Sequence, residues 1–311
     1  METYANQKHI ISSQPMNWER LSNSRAAAMV FMALTSIIVS CSGVIVRSLE
    51  EAGPWQINIY RSLTFILAIV IILCFNYRKE AISRVIHVPV PKPIIWAGLV
   101  LGLTGVTITQ ALTTTTIANT MFTMSAIPFL ASALAFVFLG EKLTKATIVA
   151  MVIAMLGIVM MVLDGINSGS LYGNIMAVLT TIGFATFAVI VRANNNVDML
   201  PALIVGGVVV IIISLIPAYG QWSITLYDLA LCTIWGAGLS GLGHLAFVLC
   251  SRVLAAAELT LFTLFEFALA PLWVWMLFTE TPGTLALLGG CIVIASVAWR
   301  AMDELVDFSK S

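Results

Sequence analysis

A single carboxylate stands near the middle of one of the most apolar stretches in this sequence. It is Glu266, within AAAELTLFTLFEFALAPLWVWMLF from Ala255 to Phe278. Read as a helix at ~1.5 Å per residue, that stretch crosses a ~30 Å hydrocarbon layer with some tilt. An acid at that depth is costly unless it faces the bundle interior, a water-filled cavity or a partner, and such residues usually mark pathways. Pro271 follows five residues later, removes a backbone donor and is expected to kink the helix beside the carboxylate. The competing reading is a structural Glu hydrogen-bonded between helices.

Few other side chains could do chemistry in such surroundings. Arg61 lies about seven residues into the second apolar stretch, where a guanidinium can grip a carboxylate in a bidentate fork. An intramembrane Arg generally needs a partner; Glu266 is one candidate and a substrate carboxylate another, while partial snorkelling would make its role structural. His244 ends the run GLSGLGH; its ring titrates near neutral pH and either lines a cavity or simply packs. Gln110 is expected to face the pathway, and Asn119 to cap a helix. Phe122, Trp235, Phe265 and Trp273 either shape an apolar cavity or serve as packing and lipid contacts. Glu141 and Glu280 are read as helix-end anchors and gate latches, with anchoring favoured.

These residues need lipid-embedded helices to position them. Of 311 residues, 60% are hydrophobic and only 10% charged, against roughly 25% charged in a soluble domain. Mean hydropathy is +1.01. The bilayer must therefore be the solvent for most of the chain, which makes it an all-α polytopic membrane protein. Net charge is zero, and no basic stripe exists to bind nucleic acid. All five cysteines fall in apolar runs and read as small hydrophobes, neither a disulfide framework nor metal ligands. The first 25 residues are polar, lack the apolar core of a signal peptide and read as a solvated tail.

Ten spans are expected: Ala26–Val46, Pro54–Phe75, Pro93–Leu112, Ile117–Leu139, Ala146–Leu163, Leu171–Val191, Met199–Ala218, Tyr227–Cys250, Ala255–Phe278 and Gly283–Trp299. The strongest breaks are Asn76–Lys92 and Asp164–Ser170. With ten spans, thirteen of the fifteen Lys and Arg fall on the side of the termini, which the positive-inside rule makes cytoplasmic. Arg47 falls on the other side, and Arg61 within a span. Internal similarity runs through the chain. Val44-Ile45-Val46-Arg47 recurs as Val189-Ile190-Val191-Arg192, Ile95-Trp96 as Ile234-Trp235, and Glu141 as Glu280. Five spans per half force the halves into opposite orientations, the inverted repeat of many secondary transporters, with a site near the midplane.

The chain resembles the EamA-type members of the drug/metabolite transporter superfamily from about Ala26 to Trp299. The first copy carries Pro54 and Arg61, then Ile127-Pro128-Phe129, Leu139-Gly140-Glu141-Lys142-Leu143 and Gly157-Ile158-Val159. The second carries Gly173, Arg192, Glu266, Pro271-Leu272-Trp273, Glu280 and Gly289. It departs from the pattern where Phe267 replaces the proline that commonly follows the Glu, and where Thr279-Glu280-Thr281-Pro282 replaces Leu-Gly-Glu. The resemblance implies two inverted five-helix EamA repeats, 26–163 and 171–299, between cytoplasmic tails 1–25 and 300–311. It also implies a cavity among the first four spans of each half, with the fifth and tenth outside as supports or homodimer contacts.

The function implied is secondary active transport of a small metabolite across a bacterial plasma membrane by alternating access. An amino acid or related carboxylate is the best match, and export is favoured. The site set expected is Glu266, Arg61, His244, Gln110, Trp235 and Phe122, with no metal and no cofactor. Proton coupling would fall to Glu266, since burial disfavours a charged carboxyl. A lipid or lipid-linked sugar flippase of the same superfamily is the alternative, and a membrane enzyme a more distant one. GxxxxGK[ST], HExxH and GxSxG motifs are all absent, which disfavours nucleotide hydrolysis and hydrolase chemistry.

Overall fold

Lipid offers no hydrogen bonds to a bare backbone, so an apolar chain must satisfy its amides within helices. In the computed structural model, which describes residues 25–76, 91–140, 144–168, 170–194, 197–254, 256–278 and 280–310, all regular structure is helical. In order come α1 (Arg25–Val39), α2 (Ser42–Ser48), α3 (Pro54–Asn76), α4 (Lys92–Thr114), α5 (Ile117–Met124), α6 (Ile127–Leu139), α7 (Lys145–Ser168) and α8 (Leu171–Ala193). Then follow α9 (Leu200–Leu215), α10 (Leu226–Thr233), a π-helical stretch Ile234–Ser240, α11 (Gly241–Cys250), α12 (Ala256–Phe278) and α13 (Thr284–Lys310). Among the described residues, seven runs are long and apolar enough to cross a membrane. Three shorter apolar helices, Leu200–Leu215, Phe262–Phe278 and Thr284–Val297, accompany them. Residues 1–24 of the expected N-terminal tail, most of the Asn76–Lys92 break, and Glu141 lie outside the described residues.

Contacts between helix ends sort the molecule into two faces. On the terminus-side face, Cys250 at the end of α11 reaches the Ala28 carbonyl near the start of α1, and Arg252 pairs with Asp198. On the far face, Arg47 from α2 donates to the carbonyls of Leu112 (3.0 Å) and Thr115 (2.8 Å) at the end of α4. There too Gln56, early in α3, donates to the Gln221 and Ser223 carbonyls before α10. Successive long runs therefore alternate in direction.

Several expected spans are interrupted rather than continuous. The first breaks at Ser40–Cys41, where the Ser40 hydroxyl donates to the Ile37 carbonyl and the Trp273 indole N–H donates to Ser40 Oγ. The fourth breaks at Ser125–Ala126, just ahead of Pro128. The eighth passes through the π-helical stretch. By contrast, α12 runs unbroken past Pro271, so the interruptions fall elsewhere than at the expected kink. The segment expected as a C-terminal tail is helical, continuing α13 to Lys310.

Helices α7 and α13 pair tightly at the periphery. A Cβ on Gly157 would lie 2.6 Å from the Gly289 carbonyl oxygen, and one on Gly289 2.4 Å from that of Gly157, so only glycine permits this crossing. The outer side of α7 exposes Ile148, Val152, Met155, Leu156 and Val159. In a membrane these are lipid contacts.

Candidate functional site: a cavity at mid-bundle

The remaining helices surround a cavity of about 140 Å³. Its wall draws on α1, α2, α3, α4, α5, α8, α9, the π-helical stretch, α11 and α12, and on neither α7 nor α13. Arg61, His244, Glu266 and Trp235 are all wall residues. Four candidates from three separate regions of the sequence therefore meet at one place.

Arg61 is 7% exposed. Its guanidinium lies 4.8 Å from the centroid of the Trp235 ring, a cation–π stack that holds the charge without neutralising it. One terminal nitrogen donates to the Gly105 carbonyl (3.1 Å), the other to Ser240 Oγ (3.4 Å). Its Nε is buried without a partner. Among the described residues Arg61 has no carboxylate partner, and the pairing with Glu266 weighed from the sequence is not formed. A guanidinium has five N–H donors, so this one retains several for a ligand.

Glu266 likewise has neither hydrogen-bond nor ion-pair partner among the described residues. One wall thus carries both an uncompensated cation and a carboxyl group. His244 lies 2.8 Å through Nδ1 from the Ser240 carbonyl. A carbonyl only accepts, which assigns a proton to Nδ1 and turns Nε2 of the neutral ring away as the acceptor. The ring sits edge-on to Phe65 at 5.6 Å and Phe184 at 6.1 Å.

The π-helical stretch gives this geometry its local cause. Widening the helix by one residue re-aims the side chains of that turn, and here it places Trp235 and Ser240 under Arg61. Gly236 lets the stretch approach so closely that a Cβ would fall 2.1 Å from the Arg61 carbonyl oxygen. Ser240 and the small polar wall residues Thr35, Ser36 and Thr180 were missed from sequence. The glycine run from Gly236 to Gly243 was the available signal for Ser240.

Two candidates stand away from the wall. Phe122 packs with Ala118 and Met161, and its ring would meet a Cβ on Gly290 at 2.0 Å; its helix presents Met121 and Met124 to the cavity instead. Gln110 is buried with its Nε2 unpartnered, and it is not a wall residue. Phe265 is half exposed and also lies outside the wall. The Asn119 amide donates to Thr115 Oγ1 and Asn174 Oδ1, while Thr116 does the capping.

On the far side of the cavity lies an apolar plug that includes Val46, Ile57, Leu112, Ile117 and Val274. Polar contacts seal it. Glu280 accepts from Arg47 Nε and from the Ile117 amide. Asp228 accepts from the amides of Glu50, Glu51 and Ala52 at 2.9–3.0 Å. On the terminus side the closure is aromatic: Phe184, Phe187 and Phe247 pack mutually at 5.3–6.1 Å, within a larger apolar cluster.

A solved structure titled "Crystal structure of protein" shares this fold, with a TM-score of 0.62 at 14% identity over 88% of this chain and 98% of that one. Twenty-eight solved chains match in all. No curated protein matches the chain. The family model described as EamA-like transporter family matches residues 26–163, the stretch from the start of α1 to late in α7. Over those residues the chain is similar to the EamA-like transporter family.

Proposed function

We propose that the protein is a secondary transporter that exports a small polar metabolite, an amino acid or related carboxylate, by alternating access. In this reading the seven long runs and three shorter apolar helices make ten spans, arranged as two inverted five-helix repeats. The terminus-side face is cytoplasmic, the membrane is the plasma membrane, and a homodimer would form through α7 and α13.

One observation carries the proposal: Arg61 and Glu266 share a mid-bundle cavity, and among the described residues the first has no carboxylate partner and the second no partner at all. An unpaired charge in lipid is maintained only where something else meets it. A zwitterion answers both groups, its carboxylate on the Arg61 fork and its ammonium toward Glu266. Size favours a small solute over a lipid. The cavity is about 140 Å³, comparable to the ~150 Å³ engineered cavity that accepts benzene.

The test is counterflow in proteoliposomes with a panel of radiolabelled L-amino acids, comparing the wild type with Glu266→Gln across a pH series. Flux by the wild type with a pH dependence that Glu266→Gln abolishes is the expected result. Flux by the variant with unchanged pH dependence would remove Glu266 from coupling, and no flux of any amino acid by the wild type would refute the substrate class.

A further inference from the structure

Asn58 is fully buried, at 0% exposure, and among the described residues neither its amide nitrogen nor its amide oxygen has a hydrogen-bond partner. Ser214, also at 0%, has an unpartnered hydroxyl. Leaving such a group dry and unpaired costs roughly 1–3 kcal/mol, and natural structures keep few of them. Asn58 directly follows Ile57, a member of the apolar plug beyond the cavity. Two such buried, unpartnered groups call for a reason beyond packing.

Their positions supply one. Residues four and seven apart share a helix face. On α3, Asn58, Ser62 and Phe65 form such a series, and Ser62 and Phe65 are cavity wall. On α9 the series is Gly207, Val210 and Ser214, and the first two are wall. Each orphan group therefore stands on a cavity-facing stripe, one turn past its far-side edge.

The two stripes also face each other. A Cβ on Gly207 would lie 2.5 Å from Ile66 Cγ1 and 3.4 Å from Phe65 Cδ1, which fixes the register of α3 against α9. The helices run in opposite directions, so two turns farther out Ser214 comes level with Asn58. Arg61, whose Nε is also unpartnered, lies one turn inward on α3.

We propose that Asn58 and Ser214 form an outer station on the substrate route. In this conformer the station is buried. When the far-face seal opens, it receives the polar head of the substrate as that head leaves Arg61. Chemistry fits this hand-over. The Asn58 amide nitrogen and Ser214 hydroxyl donate to a carboxylate, and the Asn58 amide oxygen accepts from an ammonium. Neutral donors bind a carboxylate more weakly than a guanidinium does, which suits an exit point. The inference rests on the transport reading above and adds a site to it.

The deciding experiment reads position 58 directly and needs no knowledge of the substrate. In full-length protein whose five native cysteines are replaced by serine or alanine, Asn58→Cys and Ile57→Cys are each reconstituted and exposed to a membrane-impermeant maleimide added at the far face. Ile57 is buried at 2% in the same plug but lies off the cavity stripe. Position 58 is expected to label at least about tenfold faster than position 57, because a thiol kept in dry apolar surroundings stays protonated and inert. Equal, negligible labelling of the two would overturn the station, whatever the counterflow panel shows. Labelling at 58 with no amino-acid flux in the wild type would keep the station and remove only the substrate class. Asn58→Leu supplies the second arm. It is expected to slow counterflow at least about tenfold while the melting temperature in detergent holds or rises, since an apolar replacement relieves the buried amide. A fall in melting temperature with flux intact would make Asn58 a structural residue and overturn the proposal.

Discussion

The two sides of the cavity are closed by different physics. On the far face the closure is directional: Glu280 takes Arg47 and the Ile117 amide, and Asp228 takes three consecutive amides from the α2–α3 connection. On the terminus-side face it is a set of aromatic rings, Phe184, Phe187 and Phe247, in edge and tilted contacts. Hydrogen bonds and ion pairs are made or broken, whereas ring contacts slide and re-form at low cost. A seal of the first kind is a switch with two states; one of the second kind is a compliant stopper. That asymmetry teaches which side sets the resting conformation of the proposed transport cycle.

The largest test of the contrast is Asp228→Ala. It strands three backbone donors in a site where Asp228 itself is fully buried, and is expected to destabilise the protein by about 3 kcal/mol or more. Thermal unfolding in detergent measures this, and a loss under ~1 kcal/mol would show that the amides have another acceptor. Next is Glu280→Gln, which keeps the shape and removes the charge from the Arg47 pair. We expect a destabilisation of about 1–2 kcal/mol together with faster labelling of Asn58→Cys in the same background. Unchanged labelling would mean that the Glu280 latch does not hold the far face shut. Smallest is Phe247→Leu in the stopper, expected to cost about 1 kcal/mol and to leave labelling at position 58 unaltered. If it opened the far face as Glu280→Gln does, the two seals would not differ in kind.

Much of this organisation was legible in the residues. Polar groups inside lipid have few places to go, which is why Glu266, Arg61 and His244 could be singled out and why all three stand on one cavity wall. The helices begin and end close to the apolar-run boundaries, as at Ile117, Leu139 and Leu171, because turn and charged residues mark them. Angular position was not legible. In a helix apolar all round, nothing in the pattern says which side faces inward, and each residue turns the direction by about 100°. Phe122 and Met121 are neighbours, yet Met121 meets the cavity while Phe122 packs against Gly290. Gln110 was placed on the pathway because it is polar, but its burial lies elsewhere. Asp228 was overlooked because an acid near a helix start reads as ordinary capping, and only the fold brings the α2–α3 connection to it.

The Arg47 contacts divide unequally between the two ends of the chain. Two of its three hydrogen bonds go to carbonyls at the end of α4, and only one goes to Glu280. If that last bond is released, the guanidinium remains fastened to Leu112 and Thr115, within its own half. Once the Ile117 amide also lets go of Glu280, the element set free is the link between α12 and α13, and with it the end of the helix that carries Glu266. Displacement on the far face would be transmitted along a rigid rod to the central carboxyl group, coupling the outer latch to the inner acid through one continuous piece of backbone.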